Sequence, residues 1–341
     1  MNLEEGRPVG IAGLGFYVPE RCVTNAELAN MVDTTDEWIK SKIGIETRYI
    51  AGPDEALSDL AIHAAERAIQ HANLRPDQIN MIIITGQNHD YKTPATSCIV
   101  QNKMGMRNIA AIDIATACSG FIYGLAIGSK FVADRTYENV LVVGAEIHSR
   151  MISWQDRSTC VFFGDGAGAA VLRPARKGYG FMAFDLGADG SGYDAIIIPA
   201  GGSRQPFTAQ ALVAQEEAYG QTRTPIDARM DGKVVYQFAT SVFPRSIRAC
   251  LRHADLTVSD VDFVISHQAN QNIIQEGMAA LGLGMEKTYM NLARYGNCSS
   301  ASIPIALREA LDAGLVKRDD TVVLVGFGAG LSWGSTVMRW A

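Results

Sequence analysis

The sequence has 341 residues, of which 48% are hydrophobic and 19% charged, and its formal net charge is −6. This apolar fraction excludes a disordered chain, and the acidic balance gives no support to nucleic-acid binding. No run of 18 apolar residues predicts a membrane span, and the acidic start lacks a signal-peptide core. Six cysteines are too sparse for a disulfide scaffold, so we expect reduced thiols in a cytoplasmic protein of roughly two domains' length.

Strands and helices alternate along the chain. The uninterrupted apolar runs at 81–84 and 140–143 are typical of parallel strands that are covered on both faces, which favours an α/β fold. In chain order, we predict a strand at 9–14, a helix at 58–72, strands at 79–85 and 110–114, a helix at 117–132 and a strand at 140–143.

Part of the sequence recurs 182 residues later. The pattern that ends at Leu74 is echoed by one that ends at Leu256, and the strand before Gly144 by the strand before Gly326. One offset across about 70 residues indicates a duplicated unit, although buried strands resemble one another in any case. We therefore predict two halves, 1–174 and 175–341, that share one core. The irregular stretch 201–232 is predicted to be a surface excursion or a pocket lid.

Cys118 follows a predicted strand and stands at the start of a predicted helix. The unpaired N–H groups and the positive dipole end of a helix N-terminus lower the pKa of a thiol, which suits a nucleophile. A buried cysteine that acts only as a small hydrophobic residue is the alternative. Packing explains the other five cysteines better.

His267 comes directly after the repeated strand, at the strand end where ligands gather in α/β sheets. It is a candidate acid–base group or hydrogen-bond donor, with a core or capping histidine as the alternative. The other five histidines lack such a setting.

Asn297 precedes a run of small residues that enters a predicted helix. Under the 182-residue offset, Cys118 corresponds to Ser300. A duplicated fold would therefore bring the helix start beside Asn297 next to the one that carries Cys118. A loop or cap role is the alternative for Asn297 alone.

Two glycine clusters, 164–168 and 326–330, match no phosphate-binding motif. The second cluster is better suited to let backbone N–H groups approach a reacting oxygen, as half of an oxyanion hole. No spacing of histidines, cysteines and carboxylates resembles a metal ligand set.

Taken in order, these motifs resemble the β-ketoacyl-acyl-carrier-protein synthase III family of the thiolase superfamily, over essentially the whole chain. The resemblance implies a thiolase-like five-layer α-β-α-β-α sandwich, built from two duplicated halves and usually dimeric. It also implies a Cys–His–Asn site, which distinguishes this group from condensing enzymes that use a Cys–His–His site. The matching segments are 33–39, 116–121, 163–168, 267–270, 296–297 and 326–330.

The resemblance implies a decarboxylating Claisen condensation, in fatty-acid initiation or a related secondary-metabolite pathway. Cys118 would take the acyl group of an acyl-CoA as a thioester. His267 and Asn297 would donate hydrogen bonds to the enolate oxygen that forms when a malonyl thioester loses CO2. Backbone N–H groups of Cys118 and Ala329 would form the oxyanion hole. Coenzyme A thioesters are expected as substrates, with no cofactor and no metal.

Further residues match binding positions of the family. Trp38, Lys42 and Arg157 would hold coenzyme A, with simple packing or a solvated charge as the alternative. Thr93 lies in the loop that reaches the partner subunit's acyl pocket in this family, and it replaces a bulkier residue of some acetyl-specific members.

The acyl-carrier-protein docking surface departs from the family. Gln237 and Asn272 stand where housekeeping members commonly carry basic residues. Arg245, Arg248 and Arg252 fall on one helical face and are candidates to replace them, with a solvated face as the alternative. These departures favour a specialised paralogue with an altered starter or a coenzyme A-bound extender.

Other functions stay open at this point. A condensing-fold acyltransferase would pass the acyl group to an alcohol or amine without decarboxylation, but such relatives often depart at the histidine or asparagine position. A paralogue without activity would serve as a partner subunit or an acyl-binding module. The full Cys118, His267 and Asn297 set argues against that loss of activity.

Overall fold

The computed structural model describes residues 6–216 and 221–341. Its helices are α1 (Asn25–Leu28), α2 (Asp36–Lys42), α3 (Leu57–His71), α4 (Thr96–Lys103), α5 (Gly120–Ala133), α6 (Arg157–Cys160), α7 (Gly232–His253), α8 (Gln271–Leu281), α9 (Leu292–Tyr295) and α10 (Ser302–Asp312). Its strands are β1 (Val9–Tyr17), β2 (Arg21–Thr24), β3 (Thr47–Ile50), β4 (Met81–Thr85), β5 (Ala110–Ile114), β6 (Val140–Glu146), β7 (Gly166–Pro174), β8 (Gly180–Ala188), β9 (Ile196–Ile197), β10 (Gln215–Glu216), β11 (Thr222–Arg223), β12 (Arg229–Met230), β13 (Phe263–Ser266), β14 (Thr321–Gly328) and β15 (Ser332–Arg339).

Two sheets of closely similar topology form the frame. The first has the order β1-β7-β6-β4-β5, with β4 parallel to β5 and β6, and β7 antiparallel to β6 and β1. The second has the order β13-β14-β15-β8, with β13 parallel to β14, and β15 antiparallel to β14 and β8. Where the first sheet carries β5, the second has an isolated parallel bridge between Val264 and Thr288.

Uncommon backbone conformations recur at the same 182-residue offset as the sequence pattern. Asn73 and Asp255 follow α3 and α7 with φ of 53° and 54°, and Ala117 and Ser299 precede α5 and α10 with φ of 45° and 48°. Left-handed φ is uncommon outside glycine. Its recurrence at one offset therefore supports the predicted duplication. The domain boundary near residue 174 stays a prediction.

Helices cover both faces of each sheet. Along β4, Ile82 packs with α3 on the outer side, whereas Ile83 packs with α5 between the sheets. The inner helices α5 and α10 contact strands of both sheets, and α7, backed by α8, packs on the outer side of the second sheet. This coverage explains why β4 is buried along its whole length. The predicted five-layer α-β-α-β-α sandwich is confirmed.

The predicted elements agree with the structure, with two informative differences. The helix predicted at 117–132 divides into a 3-10 turn, Ala117–Ser119, and α5, because Ala117 has left-handed backbone angles. The strand predicted at 140–143 continues to Glu146 as β6. This extension carries a carboxylate to the end of the sheet.

The stretch 201–232 contains short paired strands. Strand β10 pairs with β11, and β12 pairs with β9. Ala228 and Met230 line the cavity described below, which agrees with a pocket cover. Residues 217–220 of this stretch lie outside the described residues.

The six cysteines are free thiols. Cys22 and Cys98 are exposed, so the expectation that packing explains them is wrong. Across residues 6–216 and 221–341, no helix is both long and apolar enough to cross a bilayer.

Candidate active site

A cavity of about 400 Å³ lies where the ends of β13 and β14 meet the 3-10 turn that precedes α5. It brings together Cys118, His267, Asn297 and Ala329, four of the residues singled out in the sequence. Apolar side chains form much of the remaining wall, among them Phe162, Phe163, Ile197, Met230, Phe238 and Phe327.

Cys118 is 9% exposed and lies in the 3-10 turn before α5. Its Sγ lies 3.3 Å from the Ser299 hydroxyl, within hydrogen-bond distance. The pKa of the Cys118 thiol is raised to about 12, chiefly by burial and to a smaller extent by the negative charge of Glu146, while the Ser299 hydroxyl lowers it. The expectation of a lowered thiol pKa is therefore wrong, because desolvation has the largest effect on this buried thiol.

The two helix starts pack on glycines at equivalent places. A Cβ on Gly326 would lie 3.0 Å from the Cys118 carbonyl oxygen, and a Cβ on Gly144 would collide with the Ser300 carbonyl oxygen. Gly144 and Gly326 are themselves related by the 182-residue offset. The expectation that duplication brings the turns of Cys118 and Ser300 together agrees with this packing.

The absence of a side chain at Gly328 makes room for the Cys118 sulfur. A Cβ on Gly328 would lie 2.9 Å from Sγ, so Gly328→Ala must displace the thiol or the strand. We expect acyl loading of Cys118 to slow by about 100-fold, since small displacements of a reacting group are that costly. Mass spectrometry of the loaded protein over time measures this rate. Gly190→Ala is the control, because no atom lies within 4 Å of its Cβ. Equal loading in both variants would contradict this role of Gly328.

His267 is 2% exposed, and its ring packs against the Phe327 ring in a T-shaped arrangement with the centroids 5.6 Å apart. Burial and the neighbouring His148 lower the pKa of His267 to about 3, so the imidazole is neutral at physiological pH. Its Nδ1 lies 2.7 Å from the Ser302 hydroxyl. The Ser302 hydroxyl also lies 2.7 Å from the Ser299 carbonyl oxygen, so its one hydrogen goes to one of these two acceptors. In the tautomer in which Ser302 donates to Nδ1, the ring hydrogen is on Nε2 and His267 is a neutral donor toward the cavity.

Asn297 is oriented by a backbone group. The Ser299 N–H donates to Asn297 Oδ1 at 2.8 Å, which identifies the side-chain oxygen. The Nδ2–H2 group is then directed away from this bond and can donate into the cavity that Asn297 lines. In the tautomer of His267 with the hydrogen on Nε2, both side chains are neutral donors that line the same cavity.

Sequence reasoning missed several residues of the site. His148 lines the cavity and follows β6, so the expectation that no other histidine has such a setting is wrong. Gln87 and Ser299 also line the cavity, and Glu146 lies behind Ser299. The sequence feature that could have indicated Glu146 is its position as a single carboxylate directly after the apolar run 140–145.

His148 makes the stability of the fold depend on pH. Burial lowers its pKa from 6.5 to about 4. As the pH falls from 6.5 to 4, the unfolded chain binds a proton there that the folded chain does not, so the free energy of unfolding decreases. His148→Phe keeps a ring that can stack on Phe163, 4.6 Å away, but cannot titrate. Between pH 6 and pH 5 we expect the wild type to lose about 1 kcal/mol more than this variant in urea unfolding. Parallel pH dependences would contradict the assignment.

The predicted coenzyme A residues are not among the residues that line the cavity. The Arg157 guanidinium stacks over the Trp38 ring at 5.2 Å, and its Nη1 donates to the Asp33 carbonyl oxygen. Lys42 is exposed, and its carbonyl oxygen accepts a hydrogen bond from Asn270, which lines the cavity. Their role toward coenzyme A stays a prediction.

The three candidate docking arginines are exposed on one face of α7. Arg245 stacks over the Trp333 ring at 4.7 Å, and Arg248 donates to the Ala280 carbonyl oxygen, whereas Arg252 lies farther along the helix. Thr93 is exposed and does not line this chain's cavity. Both binding roles stay predictions.

Comparison with known proteins shows the family to which the chain is similar. Residues 112–190 match the family model of 3-oxoacyl-[acyl-carrier-protein (ACP)] synthase III, and residues 251–340 match the model of its C-terminal part. The chain is 47% identical over 332 residues to beta-ketoacyl-[acyl-carrier-protein] synthase III of Caldanaerobacter subterraneus subsp. tengcongensis, with 97% of this chain and 98% of that protein covered.

Solved structures give the same result. The beta-ketoacyl-[acyl carrier protein] synthase III structure from Thermus thermophilus is 40% identical and superposes with a TM-score of 0.87, covering 97% of this chain and 99% of that one. The priming beta-ketosynthase of the R1128 polyketide biosynthetic pathway is 30% identical, with a TM-score of 0.86 and coverage of 98% and 97%. The chain belongs to the beta-ketoacyl-[acyl-carrier-protein] synthase III family.

Proposed function

We propose that this protein catalyses the decarboxylating condensation of an acyl-CoA starter with a malonyl thioester, giving a β-ketoacyl product in fatty-acid initiation. The observation that carries this proposal is the convergence of Cys118, His267 and Asn297 on one cavity. A nucleophile and two neutral hydrogen-bond donors are what this chemistry needs. The names of the relatives support the reaction class.

The first half-reaction forms a thioester on Cys118. The sulfur attacks the acyl carbonyl carbon, the bond from that carbon to the coenzyme A sulfur breaks, and the coenzyme leaves as a thiolate. Backbone N–H groups of Cys118 and Ala329 are proposed to stabilise the tetrahedral oxyanion. The aromatic and aliphatic wall of the cavity suits an acyl chain and excludes water from the thioester.

The second half-reaction makes the carbon nucleophile. As the malonyl carboxylate leaves as CO2, its bonding electron pair moves into an enolate whose oxygen becomes negative. His267 Nε2 and Asn297 Nδ2 donate to that oxygen. The lowered pKa, about 3, keeps His267 neutral, so it stabilises this charge as a neutral hydrogen-bond donor and not as an imidazolium. The enolate carbon then attacks the Cys118 thioester and releases the thiolate.

Binding partners follow from the surface around the cavity. The stacked Trp38 and Arg157 pair is proposed to receive coenzyme A, together with Lys42 from the same short helix as Trp38. The exposed Arg245, Arg248 and Arg252 face suits an acidic acyl carrier protein. A homodimer, with Thr93 directed to the partner's acyl pocket, and a cytoplasmic location complete the proposal.

Intact-protein mass spectrometry tests the first half-reaction. After incubation with acetyl-CoA, isobutyryl-CoA or octanoyl-CoA, we expect a mass increase of one acyl group that peptide mapping assigns to Cys118. Adding malonyl-CoA or malonyl-carrier protein is then expected to release CO2 and a β-ketoacyl product. Transfer of the acyl group to an alcohol or amine without CO2 release would favour the acyltransferase alternative and refute the condensation.

A further inference from the structure

Glu146 is a buried carboxylate that the proposed chemistry leaves without a task. It is fully buried at the end of β6, where the repeat places Gly328 in the other half. Burial without a cationic partner is costly for a carboxylate, so its position calls for an explanation. Its hydrogen-bond partner Ser299 also contacts Cys118.

Ser299 connects Glu146 to Cys118. The Ser299 hydroxyl lies 3.1 Å from Glu146 Oε1 and 3.3 Å from Cys118 Sγ. This hydroxyl has one hydrogen and can donate it to only one of the two. When it donates to the carboxylate, its oxygen is free to accept the thiol hydrogen, and the chain of donors runs from Cys118 through Ser299 to Glu146.

Backbone groups hold the far side of the carboxylate. The Gln87 N–H donates to Glu146 Oε2 at 3.1 Å, and the Asn88 N–H also stabilises the ionised form. Ser299 is itself held in a left-handed conformation with φ of 48°, which fixes its position between the two groups. Backbone groups therefore hold the Glu146 carboxylate, and the backbone conformation of Ser299 places its hydroxyl between Glu146 and Cys118.

We propose that Glu146 accepts the Cys118 thiol proton through the Ser299 hydroxyl during acyl loading and returns it when the product leaves. This inference rests on the proposed thioester-forming role of Cys118. The thiol proton moves to Ser299 as the Ser299 proton moves to Glu146 Oε1. The sulfur bonds to the acyl carbon, and the coenzyme A thiolate takes a proton from solvent. After condensation, the bond from Cys118 to the acyl carbon breaks and the proton returns along the same path.

The charges around the relay agree with this exchange. Desolvation raises the pKa of Glu146 from 4.5 to about 8, and buried Asp165 raises it as well. Glu146 in turn raises the thiol pKa of both Cys118 and Cys298. A thiolate on Cys118 is therefore favoured when Glu146 is neutral, so transfer of the thiol proton to an ionised Glu146 keeps one negative charge on the pair throughout. In the acyl-enzyme Glu146 is neutral, and a malonyl carboxylate enters without meeting a second buried charge.

Glu146→Gln distinguishes a proton relay from a simple electrostatic effect. Glutamine keeps the shape but removes the charge that disfavours the thiolate, so electrostatics alone would leave acyl loading as fast as in the wild type or faster. The relay predicts slower loading, by about 100-fold at pH 8, as expected for loss of a proton acceptor. It also predicts a changed pH profile. Wild-type loading levels off near the pKa of Glu146, whereas loading of the variant continues to rise with pH.

The experiment measures two rates at Cys118 by peptide mass spectrometry. One is loading from whichever of acetyl-, isobutyryl- or octanoyl-CoA loads the wild type, and the other is alkylation by iodoacetamide at pH 9. Alkylation needs only a thiolate, so Glu146→Gln is expected to react at least as fast as wild type. Slow loading with undiminished alkylation supports the relay. Unchanged loading, or an equal fall of both rates, overturns it.

Two further variants keep the test decisive. Ser299→Ala breaks the relay without changing a charge, and it is expected to slow loading and alter the pH profile in the same way, even if Glu146→Gln fails to fold. Glu146→Asp should recover part of the rate. Ser300→Ala is the matched control, because its hydroxyl donates to the Thr85 carbonyl oxygen in the same turn. A wild type that is alkylated but never loaded refutes the proposed function and the relay together, whereas normal loading of Ser299→Ala refutes the relay alone.

Discussion

Cys118→Ala is expected to take up no acyl group from any acyl-CoA and to form no β-ketoacyl product. The variant lacks the Cys118 sulfur, which is the nucleophile of the proposed mechanism. Loss of the nucleophile commonly lowers the rate by about 10⁴-fold. Decarboxylation of the malonyl thioester is expected to persist at a measurable rate, because His267 and Asn297 still line the cavity. Acyl adducts are measured by intact mass, and CO2 release by radiolabelled malonyl-CoA.

Cys160→Ala provides the matched control for this result. Cys160 is also a buried free thiol, and burial raises its pKa to about 12, as for Cys118. It does not line the cavity. Loading is expected to be unchanged in Cys160→Ala. Product formation by Cys118→Ala, or an adduct at another cysteine in the wild type, would contradict the assignment of the nucleophile.

His267→Ala is expected to load Cys118 at nearly the wild-type rate and to lose decarboxylation by about 100- to 1000-fold, the usual cost of one oxyanion donor. Asn297→Ala should show the same separation of the two half-reactions. The two effects are expected to be non-additive, since both donors serve one oxygen. Single-turnover loading and CO2 release measure the two steps separately.

The pH dependence sharpens this prediction. The pKa of His267 is lowered to about 3, so the residue stays neutral throughout the range from pH 5 to pH 8. Decarboxylation by a preloaded enzyme should therefore show no loss of rate that titrates near 6.5, the ordinary histidine pKa. A rate that falls with an apparent pKa near 6.5 would contradict the neutral-donor role.

Equal loss of loading and decarboxylation in His267→Ala would contradict the assignment of His267 to the decarboxylation step alone.

The sequence predicted the residues whose signal is local. Cys118 and His267 each follow an apolar strand, and the repeat related the turn of Cys118 to the one beside Asn297. The fold class followed from the same pattern, because strands that are apolar throughout need helices on both sides. Secondary-structure bounds differed where one residue, Ala117, adopts an uncommon backbone conformation.

The residues that the sequence did not predict depend on distant contacts. Glu146 and Ser299 are hydrogen-bonded across 153 positions of the chain, and neither stands in a motif of its own. The thiol pKa of Cys118 was predicted in the wrong direction for the same reason. A helix start is visible in the sequence, but the amount of water that the folded chain excludes from it is not.

The single bridge at Thr288, in place of a counterpart of β5, determines how the second sheet ends. Side chains bind the backbone carbonyls near this edge: Thr288 Oγ1 donates to Val264, Lys287 Nζ to Val261, and Gln268 Nε2 to Ser266. Free carbonyls along an edge strand are a template on which another chain can add, which leads to aggregation. Because side chains of the same chain occupy these three carbonyls, they are not free to pair with a strand from another copy of the protein.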